Sequence, residues 1–355
     1  MHKGVKLSEK YLRCPALKDL PPPPDGRTGW PWTEQSRILP DKTPDGQQWP
    51  KVSIITPCYN QGKFIEEAIR SVLLQGYPDL EYIIIDGGST DETVDIIKKY
   101  EPWLAHWESE SDRGQSHAIN KGLERSTGKF FNWHNSDDVL APDSLATMVS
   151  AMVKYPQAAY VHGRRIFIDD KSKVRGGDKD SCDNKISFSP DLTASISALK
   201  TAAQPACLMD RDLVIQAGRV DESLHYIMDI DLLLRIAIIK KPIYINSILT
   251  YVRIHPDTKS LQWNSQRARE RICVARKIFS GSDLPCSVRK LKRQTLATAH
   301  RFAWRSYTSA GMYGLAIWHL VLDISFSPFY GWKQRLTTYK LFKLDKKVVK
   351  FDEEI

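Results

Sequence analysis

Short apolar strands alternate with amphipathic helices between residues 51 and 155, and this alternation constrains the fold more than any other feature. The runs VSIITPC at 52–58 and EYIIID at 81–86 are rich in β-branched residues, which is typical of strands buried on both faces. The segments that follow them repeat apolar residues at helical spacing. We therefore predict an α/β fold with right-handed crossovers and a mainly parallel sheet flanked by helices.

Acidic clusters follow the predicted strands. Asp86, Asp112 and the pair Asp137–Asp138 each stand at a strand end, and ligands of parallel α/β sheets bind beyond these carboxyl ends. Carboxylate oxygens suit Mg²⁺ or Mn²⁺, and a diphosphate would complete the shell of ligands. Acidic residues also form turns and helix caps, so each cluster taken alone fits either interpretation.

The two ends of the chain differ in composition from its middle. Residues 1–50 contain PPPPDG and GWPW, and because proline fixes φ and lacks an N–H donor, we expect an extended arm anchored by its tryptophans. Residues 264–355 hold 18 Lys+Arg against 7 Asp+Glu, so the net charge of +9 comes from this tail. The predicted domains are an arm at 1–50, an α/β domain at 51–260 and a basic, aromatic, helical region at 261–355.

The basic tail has two interpretations that the sequence leaves open. Its aromatic residues beside cations suit an anionic membrane surface, and a helical lid with a solvated basic face also fits. Nucleic acid is not an expected partner, since no recognised binding module accompanies the charge.

The predicted location follows from three features of the sequence. No run approaches about 18 apolar residues, and the N-terminus lacks the apolar core of a signal peptide. Six cysteines without a CxxC pair indicate reduced thiols. We therefore expect a cytoplasmic protein, or one that is peripheral on the inner face of the membrane.

Six motifs occur in a fixed order along the α/β domain. ITPCYNQGKFIEEAIRSVLLQ, YIIIDGGSTDET, SDRGQSHAINKGL and NSDDVL follow one another between residues 51 and 140, and YIMDIDLLLR at 226–235 and YVRIHP at 251–256 come later. In this order they resemble the inverting glycosyltransferase family 2 over about residues 51–260. The resemblance implies the nucleotide-binding GT-A fold and transfer of a sugar from a nucleotide-diphosphate sugar to a hydroxyl acceptor. It also implies polysaccharide or glycoconjugate biosynthesis, a UDP-, GDP- or dTDP-sugar donor, a glycan or lipid-linked acceptor, and Mn²⁺ or Mg²⁺ as cofactor.

The resemblance assigns the donor contacts to the strand ends. Thr56, Pro57 and Tyr59 match the residues that hold the nucleotide base, with the tyrosine ring packing on it. Asp112 and Asn120 fall where the family contacts the nucleoside and supports the metal-binding loop.

The sequence departs from the commoner form of the family at two positions. Asp86 matches the residue that accepts hydrogen bonds from the base or ribose, but Gly87 replaces the second acid that usually follows it. Asn135 stands where many members carry a further acid. The first departure leaves the identity of the base open.

The resemblance also implies a metal site. Asp138 matches the direct metal ligand of a DXD-like motif, and Asp137 matches the contact to the donor ribose or sugar. His255, in RIHP, matches a histidine that some GT-A enzymes use as an additional metal ligand.

Asp229 aligns with the catalytic base of the family, which takes the acceptor hydroxyl proton as the oxygen attacks the anomeric carbon. Aspartate is also common at helix N-caps, and this interpretation stays open. Asp231 is the alternative base, although it could instead pair with Arg235 at i, i+4. Residues 204–206 resemble a loop that lines the acceptor side.

Two other functions share parts of this pattern. A sugar-phosphate nucleotidyltransferase would have the same architecture and metal, but it needs a basic, glycine-rich loop at the first strand end, and TPCYNQG carries no base. A non-catalytic module that only binds nucleotide sugars would have lost Asp138 or Asp229, and both are present.

Overall fold

The computed structural model describes the side chains of residues 15–43, 45–178, 192–256, 258, 265–281 and 284–328, and the backbone of 187–188. The strands are β1 (Val52–Cys58), β2 (Leu80–Asp86), β3 (His106–Ser109), β4 (Phe130–Trp133), β5 (Val139–Leu140), β6 (Tyr160–Ile168), β7 (Val174–Gly177), β8 (Ser187–Phe188), β9 (Cys207–Asp210) and β10 (Ile243–Arg253). The helices are α1 (Ile65–Leu73), α2 (Thr93–Tyr100), α3 (Gln115–Arg125), α4 (Ser144–Lys154), α5 (Leu192–Ala198), α6 (Arg211–Gln216), α7 (Met228–Ile239), α8 (Ser265–Ile278), α9 (Cys286–Arg289), α10 (Lys292–Ser309) and α11 (Tyr313–Phe326).

All of these strands join one sheet, in the order β3-β2-β1-β4-β9-β6-β10-β5, with β7 beside β6 and β8 beside β10. The first four strands are parallel, as the strand–helix alternation predicts. Beyond β4 the sheet is mixed, because β9 pairs antiparallel with both its neighbours and β5 pairs antiparallel with β10. Apolar periodicity locates a strand but does not fix the direction in which it joins the sheet. The predicted α/β class is confirmed, with a sheet that is parallel only in its first half and along β6–β10.

The central strands bring three polar ends together. Every residue of β1 and β2 is buried, as expected for strands covered on both faces. In their register Cys58 lies beside Asp86, and Asp86 in turn lies beside Ser109 at the end of β3. The loops after β1, β2 and β3 therefore leave the same edge of the sheet.

The proline-rich segment that precedes β1 is bound to the α/β domain. The Trp30 indole donates to the Leu140 carbonyl at 2.7 Å. The Arg70 guanidinium, which is fully buried in α1, donates to the carbonyls of Pro21, Pro31 and Trp32 at 2.8–3.1 Å. One buried cation thus satisfies three backbone acceptors of this segment.

Replacing Arg70 by methionine is expected to lower the free energy of unfolding by about 3 kcal/mol, because three buried carbonyls lose their donor. Urea denaturation of the full chain measures this loss. Arg27→Met is the matched control, since both guanidinium groups lie about the same distance from the Trp32 ring, at 5.5 and 5.4 Å. Equal losses in the two variants would contradict the role of Arg70.

The described chain divides into two compact units. The second comprises Thr193–Lys200 together with the chain from Leu261 onward, and the first comprises the rest. In the second unit α10 packs against both α8 and α11, and Arg301 forms a buried ion pair with Asp323 at 2.8 Å. No helix among the described residues is long and apolar enough to cross a membrane.

The four cysteines that the structure describes, Cys58, Cys207, Cys273 and Cys286, are free thiols. Cys14 and Cys182 lie outside the described residues, as does the tail after residue 328.

Candidate active site

The end of β1 offers one exposed ring. Tyr59 follows Cys58 directly and is 59% exposed. Thr56 is buried, and its hydroxyl shares a hydrogen bond of 2.9 Å with the Tyr82 hydroxyl. Pro57 is buried within the strand. Of the three residues that the resemblance assigned to the nucleotide base, the structure therefore leaves only Tyr59 accessible.

Hydrogen bonds from other groups of the protein occupy the Asp86 carboxylate. It accepts hydrogen bonds from the Ser109 hydroxyl at 2.6 Å, from the Ser89 amide at 2.8 Å and from the Gly88 amide at 3.1 Å, and also from the Ser89 hydroxyl. The Cys58 thiol adds a longer contact of 3.4 Å. A carboxylate has about four lone-pair sites. Asp86 therefore holds the ends of three strands together, and its expected contact to the base or ribose stays a prediction.

The place that Gly87 leaves open is occupied by another acid. A Cβ atom on Gly87 would lie only 2.9 Å from Oδ2 of Asp112, which comes from the loop after β3. The other oxygen of Asp112 accepts a hydrogen bond from the Gly114 amide at 2.7 Å. Asp112 thus brings a carboxylate close to where the commoner family sequence has its second acid.

The end of β1, the end of β2 and the loop after β3 form a corner of the sheet that is negatively charged. Burial raises the pKa of the Cys58 thiol well above its ordinary value, and the negative charges of Asp86, Asp112 and Asp91 raise it further. The thiol therefore stays protonated and donates to Asp86.

Asn120 does not reach this corner. Its amide nitrogen donates to the Val220 carbonyl and to the Glu222 carboxylate, and its oxygen accepts from the Val220 amide. The predicted nucleoside contact therefore holds the chain before α7 against α3. The Ser116 hydroxyl, which donates to the Leu224 carbonyl at 2.7 Å, strengthens the same attachment.

The two neighbouring acids after β4 point in different directions. Asp138 is buried, and its oxygens accept hydrogen bonds from the Arg253 amide at 3.0 Å and from the Asn135 side chain at 2.9 Å. Burial, followed by the charge of Asp137, raises the pKa of Asp138 to about 7. The Asp137 side chain is 24% exposed and lies 3.0 Å from Nε2 of His255. Asp137 therefore presents the more exposed carboxylate of the two and Asp138 faces inward, while the expected roles of both stay predictions.

Asp137 and His255 fit a divalent cation as a pair of ligands. A carboxylate oxygen suits both Mg²⁺ and Mn²⁺, and an imidazole nitrogen favours Mn²⁺, the softer of the two. No group of three or more His, Cys, Asp or Glu residues in the described part of the chain could hold a metal unaided. The remaining ligands would have to come from a bound diphosphate or from water.

Arg253 organises this loop, although the sequence analysis gave it no role. Its buried side chain donates to the carbonyls of Asp137 and Asp169, each at 2.8 Å, and to the Glu67 carboxylate at 3.0 Å. It also lies over the Phe64 ring, 4.8 Å from the ring centre. The sequence did carry a signal for this role, because Arg253 ends an apolar strand and a buried cation requires partners.

The two acids at the start of α7 have different environments. The N-cap position belongs to Ile227, so Asp229 is not the helix cap. Asp231 is buried and forms the i, i+4 ion pair with Arg235 at 2.6 Å. Asp229 is half-buried, and its charge adds to burial in raising the pKa of the Cys207 thiol. Asp229 is therefore the more accessible carboxylate of the two.

The segment 204–206 packs inward. The Gln204 amide is buried and donates to the Asn132 side chain at 2.8 Å and to the Trp133 carbonyl at 2.6 Å. This side chain extends the polar end of β4, and the expected place of the segment on the acceptor side stays a prediction.

The sheet and its flanking helices give the chain the GT-A fold. TarS of S. aureus, in its 1–349 form with UDP-GlcNAc, has this fold, with a TM-score of 0.62, 19% identity, and coverage of 78% of this chain and 81% of that one. The mannosyltransferase PcManGT of Pyrobaculum calidifontis, with GDP-Man and Mn²⁺, gives a TM-score of 0.53, 20% identity, and coverage of 84% and 87%.

The family is given by sequence. The model described as Glycosyl transferase family 2 matches residues 53–217. An uncharacterized glycosyltransferase of Mycobacterium tuberculosis is 30% identical over 207 residues, which are 56% of this chain and 74% of that one. The chain therefore belongs to glycosyltransferase family 2. A glycosyltransferase of Rickettsia prowazekii is 31% identical over 212 residues, which are 58% of this chain and 64% of that one, so the match spans less than two thirds of that relative.

Proposed function

We propose that this chain is an inverting, metal-dependent glycosyltransferase that moves a sugar from a nucleotide-diphosphate sugar to a hydroxyl acceptor. One observation carries the proposal: an exposed ring (Tyr59), an acid with an oxygen left open (Asp112) and a carboxylate paired with a histidine (Asp137) follow three strands in the parallel half of the sheet. The related folds bound to UDP-GlcNAc and to GDP-Man with Mn²⁺ support it. Family membership favours glycosyl transfer over nucleotidyl transfer.

The donor nucleotide is proposed to bind at the corner between β1 and β3. The Tyr59 ring would pack on the base, and the outward oxygen of Asp112 would accept a hydrogen bond from it. Oδ2 of Asp112 accepts no hydrogen bond from the described residues, so it can serve a ligand. The base itself is one of uracil, guanine and thymine.

Asp137 and His255 would hold the divalent cation together with the donor diphosphate. When bound, the cation neutralises negative charge on the leaving diphosphate oxygen. Asn135 and Arg253 keep this loop in position through Asp138 and through the Asp137 carbonyl.

Asp229 is proposed as the base of the transfer. Its carboxylate would take the proton of the acceptor hydroxyl while the hydroxyl oxygen attacks the anomeric carbon from the side opposite the diphosphate. A single displacement of this kind inverts that carbon. The pairing of Asp231 with Arg235 supports this choice, because Asp231 is committed to the helix.

We also propose a cytoplasmic location and a glycan or lipid-linked acceptor in polysaccharide or glycoconjugate synthesis. The free thiols of the four described cysteines support the location.

A ligand panel tests the function. The full chain is heated with UDP-, GDP- and dTDP-sugars in the presence of Mn²⁺, Mg²⁺ or a chelator, and release of free nucleotide is measured in parallel. One base is expected to raise the melting temperature in a metal-dependent manner, since a ligand of the native state stabilises it. Failure of every donor to bind would overturn the proposal, and binding without any turnover would favour the non-catalytic module.

The proximity of Gly87 and Asp112 gives a swap experiment. Gly87→Asp should weaken binding of the donor nucleotide about tenfold, because the new side chain meets the Asp112 carboxylate at 2.9 Å. Asp112→Gly should weaken it by a similar factor through loss of the charged acceptor. The double variant should recover most of the affinity, as measured by isothermal titration calorimetry.

Glu110→Gly is the control for this swap, since it removes an exposed carboxylate from the same loop. Affinity in Asp112→Gly equal to that of the wild-type chain would show that Asp112 does not contact the nucleotide.

A further inference from the structure

Helix α11 presents an apolar face that no described residue covers. Its only charged residue, Asp323, is buried beside α10 and paired with Arg301. At about 100° per residue, the side chains opposite Asp323 and Ala316 form one arc, which we call the outer face of α11. It consists of Ile317, Trp318, Val321 and Ile324, each of which is exposed by 43–61%.

The described part of the second unit exposes charged side chains of one sign. Within 265–281 and 284–328 both carboxylates, Glu270 and Asp323, are buried. The exposed charged side chains of these ranges are all cations: Arg269, Arg276, Lys277, Arg289, Lys290, Lys292 and Arg293.

Two of the cations lie next to α11 itself. Arg293 donates to the Ser325 carbonyl near the end of the helix at 3.5 Å. Arg276 lies close enough to His319, in the middle of the helix, for its charge to lower the pKa of that ring after burial has done so. Cations therefore flank α11 at its centre and at its C-terminal end.

We propose that the outer face of α11 docks on an anionic phospholipid bilayer, with the surrounding lysines and arginines contacting the headgroups. An apolar arc flanked by cations is the pattern of helices that lie in the membrane interface. Trp318 supplies a side chain with an apolar ring and a polar group, which favours this depth. The 14 residues of α11 span about 21 Å, which is too short to cross a bilayer, so the helix lies parallel to the surface.

The charge distribution argues against other occupants of the outer face. A second copy that docked through the same face would bring together two second units, and neither has an exposed carboxylate among its described residues. Nucleic acid would neutralise the cations but would leave the apolar arc in water. An anionic bilayer satisfies both features, and this inference does not depend on the transferase activity.

Vesicle sedimentation of the full chain tests the proposal. Vesicles of phosphatidylcholine are compared with vesicles that contain about 30% phosphatidylglycerol, a strongly anionic composition. We expect binding to the anionic vesicles only, and a large loss of binding at about 0.5 M salt because the charges are then screened.

A triple variant, Ile317→Ser, Val321→Ser and Ile324→Ser, should lower the partition coefficient at least about tenfold, since three apolar contacts with lipid are lost. Its matched control is Ile38→Ser, Val153→Ser and Ile239→Ser in the first unit. The exposed fractions of the two sets agree closely, at 61, 51 and 43% against 55, 51 and 43%. The control should bind as the wild-type chain does.

Hydrogen exchange of the wild-type chain provides a test that does not depend on a variant folding. Anionic vesicles should protect the peptides that cover 313–326. Three results would overturn the proposal: binding that is equal for neutral vesicles, binding that the control set loses as fully as the outer-face set, or a dimer in solution that dissociates when the outer face is made polar.

Discussion

Asp229→Asn is expected to lower the rate of sugar transfer about a thousandfold while leaving donor binding intact. The amide keeps the size of the carboxylate but cannot take the proton of the acceptor hydroxyl. Because the proposed nucleotide and metal contacts come from other loops, the affinity for the donor should change little. Single-turnover transfer and calorimetric donor binding, measured on the same preparation, separate the two effects.

Two further variants control this experiment. Asp212→Asn makes the same chemical change on a side chain that is 95% exposed at the start of α6, and it should transfer at the wild-type rate. Asp231→Asn should lose stability, because it breaks the buried ion pair with Arg235. If Asp229→Asn transferred normally and a folded Asp231→Asn did not, the base would be Asp231.

The second large effect concerns metal binding, in which we expect Asp137 and Asp138, the two acids after β4, to differ. Asp137→Asn is expected to weaken Mn²⁺ binding in the presence of the nucleotide by at least about a hundredfold, because it removes one of two protein ligands. Asp138→Asn should retain most of the metal affinity, since its oxygens already serve the Arg253 amide and Asn135 inside the protein. Titration of Mn²⁺ by electron paramagnetic resonance measures both affinities directly.

This pair of substitutions also tests the assignment that the family resemblance implied. A loss of Mn²⁺ affinity in a folded Asp138→Asn, together with normal affinity in Asp137→Asn, would restore Asp138 as the ligand. His255→Ala would then show whether the histidine is a second ligand beside Asp138, as the resemblance implies.

The sequence was sufficient to predict the α/β class, the family and the edge of the sheet that carries the acids. β1 and β2 are recognisable because strands covered on both faces need continuous apolar runs. The helical spacing between them requires parallel crossovers. The pattern does not predict the directions of the strands beyond β4, because a short strand such as β9 can pair in either orientation.

Side-chain directions were the other limit. Where all residues of a strand are buried, alternation does not indicate which side chain reaches solvent, and Thr56 therefore turned out to face Tyr82. Asp112 lies where a side chain at Gly87 would lie, and this proximity depends on a contact between two loops. The Arg253–Glu67 pair joins residues 186 positions apart. Contacts of this kind are set by tertiary packing, which a single sequence does not reveal.

The position of β10 limits where this domain can be truncated. The family match ends at residue 217, yet β10 lies inside the sheet between β6 and β5. A fragment cut at the limits of the match would uncover one side of β6, and unpaired strand edges recruit other chains. Such a fragment would also lack the three carbonyl groups that accept hydrogen bonds from Arg70. A truncated form of the domain should therefore begin before Leu20 and extend past Arg253, so that no strand edge is uncovered.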